Sequence, residues 1–408
     1  MSMKADHVRQ FVVAFNRDRD GYQVPLALHS ASMLQALVTD FYAPDSAVGL
    51  WMTPSRLRHR HVKGLPRRSV VSSLRALWPQ IYHQMRRTGR DGWFMKVDAL
   101  LSRKAADVAA ATSADLLLYA QYAQEAFTDP RLAGRLKGLF VYHPHAGLSR
   151  DILEKDLQKF PECAWSLKNA IEIDDRYLLD RLDAEIELAD FFLCASSFTR
   201  RSLICHGVPA ERIRVAPYGT SPGSPPRDAE RSDTHTRFLF VGQGMQRKGL
   251  HHLLRAWKEA RLNGAVLRVI CSRLDPGFRP LLEQPNVEFS AAVSRDELSR
   301  AFASSHIFVM PSLVEGFGLV YLEALAAGCF LIATPNTGVP DLELSAQTAR
   351  LVEPGEVEQL TAALREANAL RSQRLLDHER IAQEAARLSW EQFRERVVGN
   401  LQQVCHMR

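Results

Sequence analysis

The chain has 408 residues, of which 46% are apolar and 24% charged, with a net charge of +6. That length and composition supply enough apolar material for two hydrophobic cores and exclude wholesale disorder. No run of about 18 uncharged apolar residues occurs, so no membrane-spanning helix is expected. The six cysteines form no C-x-x-C pair and no zinc-spaced Cys/His cluster, which predicts buried thiols in a reducing compartment.

The N-terminal segment MSMKADHVRQFVVAFNRDRD lacks the plan of a secretory leader, because its apolar run is short and charges follow at once. A cytoplasmic location is therefore expected. Strand-like or strand–helix runs follow at 9–16, 32–42, 114–120, 138–145, 190–197 and 212–219, which predict an open α/β domain over residues 1–220. Its charge is uneven. Residues 50–104 hold 13 Lys+Arg against 2 Asp+Glu, including Arg56, Arg58, Arg60, Lys63, Arg67, Arg68, Arg86, Arg87 and Arg90. They also hold Trp51, Trp78, Tyr82, Trp93 and Phe94. Basic and aromatic residues together suit a peripheral contact with an anionic membrane or a lipid-diphosphate acceptor; a solvated basic face is the plain alternative. No nucleic-acid recognition motif accompanies the charge, so nucleic acid is not expected as a partner.

Residues 221–235 are rich in Pro, Ser and charge and read as a linker. After it, strands and helices alternate. RFLFVG (237–242), AVLRVICS (265–272), VEF (287–289), HIFVMPS (306–312), CFLIAT (329–334) and RLVEP (350–354) read as strands. Segments 250–262, 296–305, 319–328 and 356–370 have helical spacing. This alternation predicts a doubly wound parallel sheet over 236–387. The tail 388–408 reads as an amphipathic helix that could pack on either domain.

Ligands of such sheets bind beyond the carboxyl ends of the strands. Two loops there carry unusual residues. Gly242-Gln243-Gly244-Met245-Gln246-Arg247-Lys248-Gly249 offers glycines for close backbone approach and Lys248 for a phosphate. Its spacing does not fit a dinucleotide fingerprint, and alone it reads as a turn with a solvated Arg-Lys pair. Pro311-Ser312-Leu313-Val314-Glu315-Gly316-Phe317-Gly318 precedes a helix start, with Glu315 before it and Glu323 inside an apolar helix expected to be buried on most sides. Each acid has a bland reading, a helix-terminal charge or a paired carboxylate. Together they suit a phosphorylated, polyhydroxylated ligand: amides for phosphate, carboxylates for hydroxyls.

The segment PSLVEGFGLVYLEALAAGCFLIATPNTGVPD (311–341) closely resembles the donor-site signature of the retaining family 4 glycosyltransferases, two glutamates with seven residues between them, here Glu315 and Glu323. FVGQGMQRKGLHHLLRAW (240–257) is similar to that family's phosphate loop, and ADFFLCASSFTRRSLICHGVPAERIRVAPYGT (189–220) to the stretch closing its first domain. The resemblance runs over residues 138–390. It implies the GT-B fold, two Rossmann-like α/β domains facing a central cleft. Glu323 would bond the donor ribose and Glu315 the sugar hydroxyls. The amides of Gly316, Phe317, Gly318 and Leu319 would hold sugar or phosphate. Lys248 would neutralise the leaving diphosphate, beside Gly242, Gln243 and Arg247. The family has Arg where this chain has Gln243, and Arg247 is the candidate substitute. A family glycine near the diphosphate is matched to Gly21 of DRDGYQ, without the usual Gly-Gly pair. A family histidine near the reacting sugar is matched by His143 or His145 in VYHPHAG; Asp151 and Glu154 are further acceptor candidates.

The implied activity moves a sugar from a nucleoside-diphosphate sugar to a glycan or lipid-linked hydroxyl, with retained configuration and without metal or other cofactor. Two rivals share the architecture: a sugar-nucleotide epimerase, against which the glutamate pair argues, and a non-catalytic sugar- or partner-binding protein, which the loss of Arg at position 243 leaves open.

Overall fold

The computed structural model describes residues 8–44, 46–73, 75–76, 93–170, 176–221, 231 and 234–407. Most of the expected linker lies outside the described residues, as do Trp78, Tyr82, Arg86, Arg87 and Arg90 and the side chains of Arg56, Trp93 and Phe94.

Two parallel sheets organise the chain. The first contains β1 (Phe11–Ala14), β2 (Leu34–Thr39), β3 (Val70–Ser72), β4 (Asp115–Tyr119), β5 (Lys137–Val141), β6 (Phe191–Cys194) and β7 (Ile213–Val215), in the order β3-β2-β1-β4-β5-β6-β7. The second contains β8 (Thr236–Gly244), β9 (Ala265–Leu274), β10 (Val287–Ser290), β11 (Ile307–Val309), β12 (Phe330–Ala333) and β13 (Ala349–Leu351), in the order β10-β9-β8-β11-β12-β13. Every residue of β1, β4, β6 and β12 is buried. Strands covered by helices on both faces need apolar side chains on both, which is why they appear as unbroken apolar runs. The short β3 carried no such run and escapes the sequence pattern.

In each sheet the strand order reverses once, between β1 and β4 and between β8 and β11. Loops leaving neighbouring strands part there to opposite faces and open a crevice. The two crevices face each other. Beside them the domains are stitched together at close range. A Cβ added to Gly316 would lie 2.2 Å from the Tyr142 carbonyl oxygen, and one added to Gly277 2.2 Å from that of Glu162. Ser196 and Thr199 donate their hydroxyls to the Gly316 carbonyl, and Ser197 donates its amide to Asp341 at 2.8 Å.

Two sequence expectations change. The basic segment is not uniformly solvated: Arg60 is buried and bonds Asp40 at 2.6 Å, so it holds a loop instead of facing an anionic surface. Arg231, in the expected linker, is buried and donates to the carbonyl of Ser305 at 3.1 Å, which anchors the chain to the second domain.

The tail also has a definite place. The helix Trp390–His406 begins at Ser389, whose hydroxyl accepts from the Gln392 amide, and inserts Phe393, Val397 and Leu401 into the core of the first domain. Its partner there is the helix Gln23–Ser30; Arg394 bonds Gln23 at 2.7 Å. The C-terminal helix thus completes the N-terminal domain. Phe393→Ala is expected to cost about 3–5 kcal/mol, the range for emptying a buried aromatic site. Denaturant unfolding followed by far-UV dichroism measures it, and a loss below about 1 kcal/mol shows that the helix is not part of that core.

Candidate active site

A cavity of about 650 Å³ lies between the two crevices. Each domain supplies one wall. Arg19 and Asp20 leave β1, Tyr119 ends β4, Tyr142 and His143 leave β5, and Tyr218 follows β7. Opposite them stand Gly242 and Gln243 at the end of β8, Arg247 and Lys248 just beyond it, and Glu315, Phe317, Gly318 and Leu319 beyond β11. Ile270, Val293 and Leu298 add apolar side chains to the lining, which also includes Glu323.

The second-domain wall is built from two interlocked loops. β8 runs to Gly244, two residues further than its apolar run, because the last glycines continue the ladder with β9. A tight turn at Gln246–Lys248 follows, and Gly249 takes φ 69°, in the left-handed region. A Cβ there would also lie 2.0 Å from the Pro311 carbonyl oxygen, so only glycine lets the two loops touch. The Arg247 carbonyl accepts the amides of Leu313 and Val314 at 2.9 and 3.2 Å. Asn336 holds the glutamate loop from behind, donating to the Leu313 carbonyl at 2.8 Å and accepting the Glu315 amide at 3.1 Å.

This frame brings Lys248 onto Glu315 as a buried ion pair; both residues are 8% exposed. Arg247 joins it, with Nη1 3.3 Å from the same Glu315 oxygen and Nη2 3.3 Å from Gln243 Oε1. Two cations therefore share one carboxylate at the cavity wall. Gln243 orients the Arg247 guanidinium through its Oε1. Arg247 occupies the surroundings of position 243 as the sequence suggested.

Glu323 differs from expectation. The helix Leu319–Ala326 buries Tyr321, Leu322, Ala324 and Leu325, yet Glu323 is on its exposed side, where it lines the cavity. A helix of this length buries one stripe, and its carboxylate takes the open one. The protein around it raises its carboxyl above the ordinary value, partly opposed by Arg295. Phe317, Gly318 and Leu319 line the cavity, with Gly318 at φ 88° capping the helix. Gly316 lies at the domain contact and borders a small side pocket, not the main cavity.

On the first-domain wall the histidine alternatives separate. His143 lines the cavity. His145 does not: it caps the helix Ala146–Lys159 by accepting the Gly147 amide, its Nε2 lies 2.9 Å from Asp183, and its ring stacks on His206 at 3.6 Å. Asp151 and Glu154 are exposed along that helix and do not line the cavity. Gly21 is exposed beside the cavity, not in it, at φ 59°.

The neighbours of Gly21 are what the sequence reading missed. Asp20, Gly21 and Tyr22 have φ of 43, 59 and 63°, three left-handed residues in a row, two of them not glycine. Such backbone persists only where its surroundings hold it. Tyr119 donates to one Asp20 oxygen and the Gln23 amide to the other at 3.2 Å. Burial lifts the Asp20 carboxyl from 3.8 to about 7, against those bonds and the nearby Arg19. Arg19 lies over the Tyr142 ring, 4.4 Å from its centroid. The turn-prone letters of DRDGYQ signalled a bend, but nothing local marked Asp20 as facing a cleft.

Comparison with known proteins agrees with this geometry. Residues 235–368, which carry both loops, match the family described as Glycosyl transferases group 1. The chain is 27% identical over 187 residues to the MMP alpha-(1->4)-mannosyltransferase of Mycolicibacterium hassiacum, covering 44% of this chain and 45% of that one. It is 27% identical over 290 residues to the GDP-mannose-dependent alpha-(1-6)-phosphatidylinositol monomannoside mannosyltransferase of Mycobacterium tuberculosis, covering 64% and 66%. The chain spans about half the length of the curated relatives it matches. Among solved structures, sucrose-phosphate synthase from Thermosynechococcus elongatus superimposes with a TM-score of 0.63 over 98% of this chain and 100% of that one, at 16% identity. Residues 235–368 are thus similar to the glycosyl transferases group 1 family, and the chain's two parallel sheets facing a cleft are the GT-B architecture.

Proposed function

We propose that the protein is a retaining glycosyltransferase that moves a hexosyl group from a nucleoside-diphosphate sugar to an acceptor hydroxyl. The observation that carries the reading is the Arg247–Lys248–Glu315 cluster, two cations and a carboxylate that line the cavity together with Glu323. In this reading the diphosphate lies against Arg247 and Lys248, so that protein cations meet the developing leaving-group charge without a metal requirement. Glu323 accepts from the ribose hydroxyls, and the base packs against Ile270, Val293 and Leu298. Glu315, already held by two cations, presents its remaining lone pairs to the sugar hydroxyls. The mannosyltransferase names among the relatives support a mannosyl donor.

In the transfer, the bond from the sugar C1 to the diphosphate oxygen breaks and a bond from C1 to the acceptor oxygen forms. The acceptor proton leaves with the departing phosphate. Asp20 and His143, on the opposite wall, receive the acceptor, and ionised Asp20 accepts a hydrogen bond from one of its hydroxyls.

Calorimetric titration with UDP, GDP, ADP and dTDP tests the donor side. One nucleotide is expected to bind, and Glu323→Ala is expected to weaken it by about 1.5–3 kcal/mol, the worth of a charge-assisted hydrogen bond. Because Glu323 is exposed in the free protein, unfolding free energy should change by less than about 0.5 kcal/mol. Unaltered affinity in a folded Glu323→Ala protein rules out the ribose assignment.

Asp20 gives a prediction that needs no substrate. Its folded-state pKa, about 7, lies above the ordinary 3.8, so the folded protein holds this proton more tightly than the unfolded chain. Between those values the group favours folding less as pH rises. Wild type is therefore expected to lose more stability than Asp20→Asn between about pH 4 and pH 7, the window of that shift. Equal losses in denaturant titrations would mean that Asp20 ionises normally.

The acceptor-side domain supports a peripheral membrane location. On the segment that leaves β2, at the cavity edge of the sheet, Val48, Trp51 and Met52 are 70%, 78% and 73% exposed. Arg58, Lys63 and Arg68 are exposed nearby in sequence. Each such cation contributes about 1 kcal/mol near an anionic surface. Among the described residues no helix is long and apolar enough to cross a membrane. Sedimentation with phosphatidylserine-containing vesicles is expected, weakened by salt, by Trp51→Ala and by Arg58→Glu with Lys63→Glu. Equal sedimentation with neutral phosphatidylcholine vesicles, or none with either, removes the membrane contact.

A further inference from the structure

A second charged cluster lies outside the cavity, buried where the domains meet. Asp156, near the end of the helix Ala146–Lys159, reaches across from the first domain. His251 Nε2 lies 3.0 Å from one of its oxygens and His252 Nε2 2.7 Å from the other. Gln246 Nε2 donates to Asp156 at 2.8 Å and to the Leu153 carbonyl at 2.8 Å. All three partners belong to the second domain: Gln246 to the turn that carries Lys248, and the histidines to the first turn of the helix Leu250–Ala260. Asp156 is 7% exposed; Gln246, His251 and His252 are 0–1% exposed.

The protonation pattern follows from the surroundings. Both Nδ1 atoms are buried without a hydrogen-bond partner. A proton on Nδ1 would be a stranded donor among the rings of Phe160 and Phe278, whereas a bare lone pair costs less. The proton therefore sits on Nε2, where it is donated to Asp156. Burial holds the His251 imidazole down at about 4. Burial also opposes ionisation of Asp156, but the bonds from His251 and His252 outweigh it and keep the carboxyl below the ordinary range. The other charged groups at this seam are already engaged: Glu162 pairs with Arg255, and Asp275 accepts the Ser166 amide at 2.9 Å. Asp156, Cys163 and His251 are close enough to share a metal ion, with ligand atoms within 4.8 Å. A ligating histidine normally donates its other N–H to a partner, and these rings have none to donate to. The same stranded nitrogens that place the proton on Nε2 thus disfavour a metal.

We propose that Asp156 is a positioning residue, an ionised carboxylate clamped by three N–H donors, which sets the phosphate turn of the second domain against the acceptor-side domain. The helix Ala146–Lys159 starts three residues after His143 of the cavity and ends at the clamp. Lys248 lies two residues after Gln246 and three before His251. The clamp therefore links the acceptor wall to the cation of the donor wall through one short helix. Its effect on transfer rests on the glycosyltransferase reading; the clamp itself does not.

Three measurements on the full-length protein test it. In histidine-labelled protein, nitrogen NMR at pH 7.5 should show both rings protonated on Nε2. Protonation on Nδ1, or stoichiometric zinc by elemental analysis, overturns the clamp. In Asp156→Asn, hydrogen exchange over residues 246–254 should accelerate at least about tenfold, as expected on losing one hydrogen bond to a charged group. Exchange in β11 and β12 should stay as in wild type. Unchanged exchange over 246–254 refutes the proposal. If Asp156→Asn does not fold, His252→Gln against His252→Leu decides, because glutamine keeps a donor: only the leucine variant should accelerate exchange. With whichever of UDP, GDP, ADP and dTDP sugars turns over, Asp156→Asn should lower kcat more than it raises KM. Faster exchange in a protein that binds none of these nucleotides leaves the clamp standing and removes the transferase reading instead.

Discussion

A lysine and a glutamate 67 residues apart share one buried contact, and the shape of the cleft depends on it. Neither charge could stand alone at 8% exposure, since an unpaired buried ion costs several kcal/mol. Each therefore requires the other's loop in place. The pair forms only if β8 and β11 are neighbours in the sheet, if Gly249 lets the turn touch Pro311, and if Asn336 supports the glutamate loop from β12's side. Arg247 adds a second cation to the same carboxylate, and both cations line the cavity. A site for a diphosphate and the device that holds its loops together are the same set of atoms.

The opposite wall uses a different device. Asp20 has Arg19 nearby, but the bonds that hold it come from a tyrosine hydroxyl and backbone amides within a left-handed turn. Burial opposes its charge more than these bonds and the nearby Arg19 favour it, which lifts Asp20 toward neutrality. The two walls thus present carboxylates of opposite temperament, one locked by charge and one poised near neutral pH. Between them the domain seam is polar as well as close-packed, from Ser196 on the Gly316 carbonyl to the Asp156 cluster. The seam also holds an apolar cluster of Leu153, Phe198, Leu313 and Val314, to which the hydrogen bonds add direction.

By itself the sequence determined the parts whose physics is local. Buried parallel strands need apolar residues on both faces, so β1, β4, β6, β8, β9, β11 and β12 could be found as runs of letters. The glycines around Lys248 and the acids at 315 and 323 marked the strand-end loops where ligands bind, and the spacing of the two glutamates pointed to a family. What the tertiary structure decided was each fact that depends on a distant partner. Glu323 faces the cleft because its helix buries the opposite stripe. Arg60 is withdrawn from the basic surface by Asp40, and the C-terminal helix joins the first domain because that core offers a site for Phe393. His143 and His145, two residues apart, diverge because a helix begins between the cavity and Asp183. Asp20 and Asp156 carry no local signature at all: a lone aspartate in a turn and another on a helix gain their meaning only from tyrosines, histidines and glutamine that the fold brings from elsewhere in the chain.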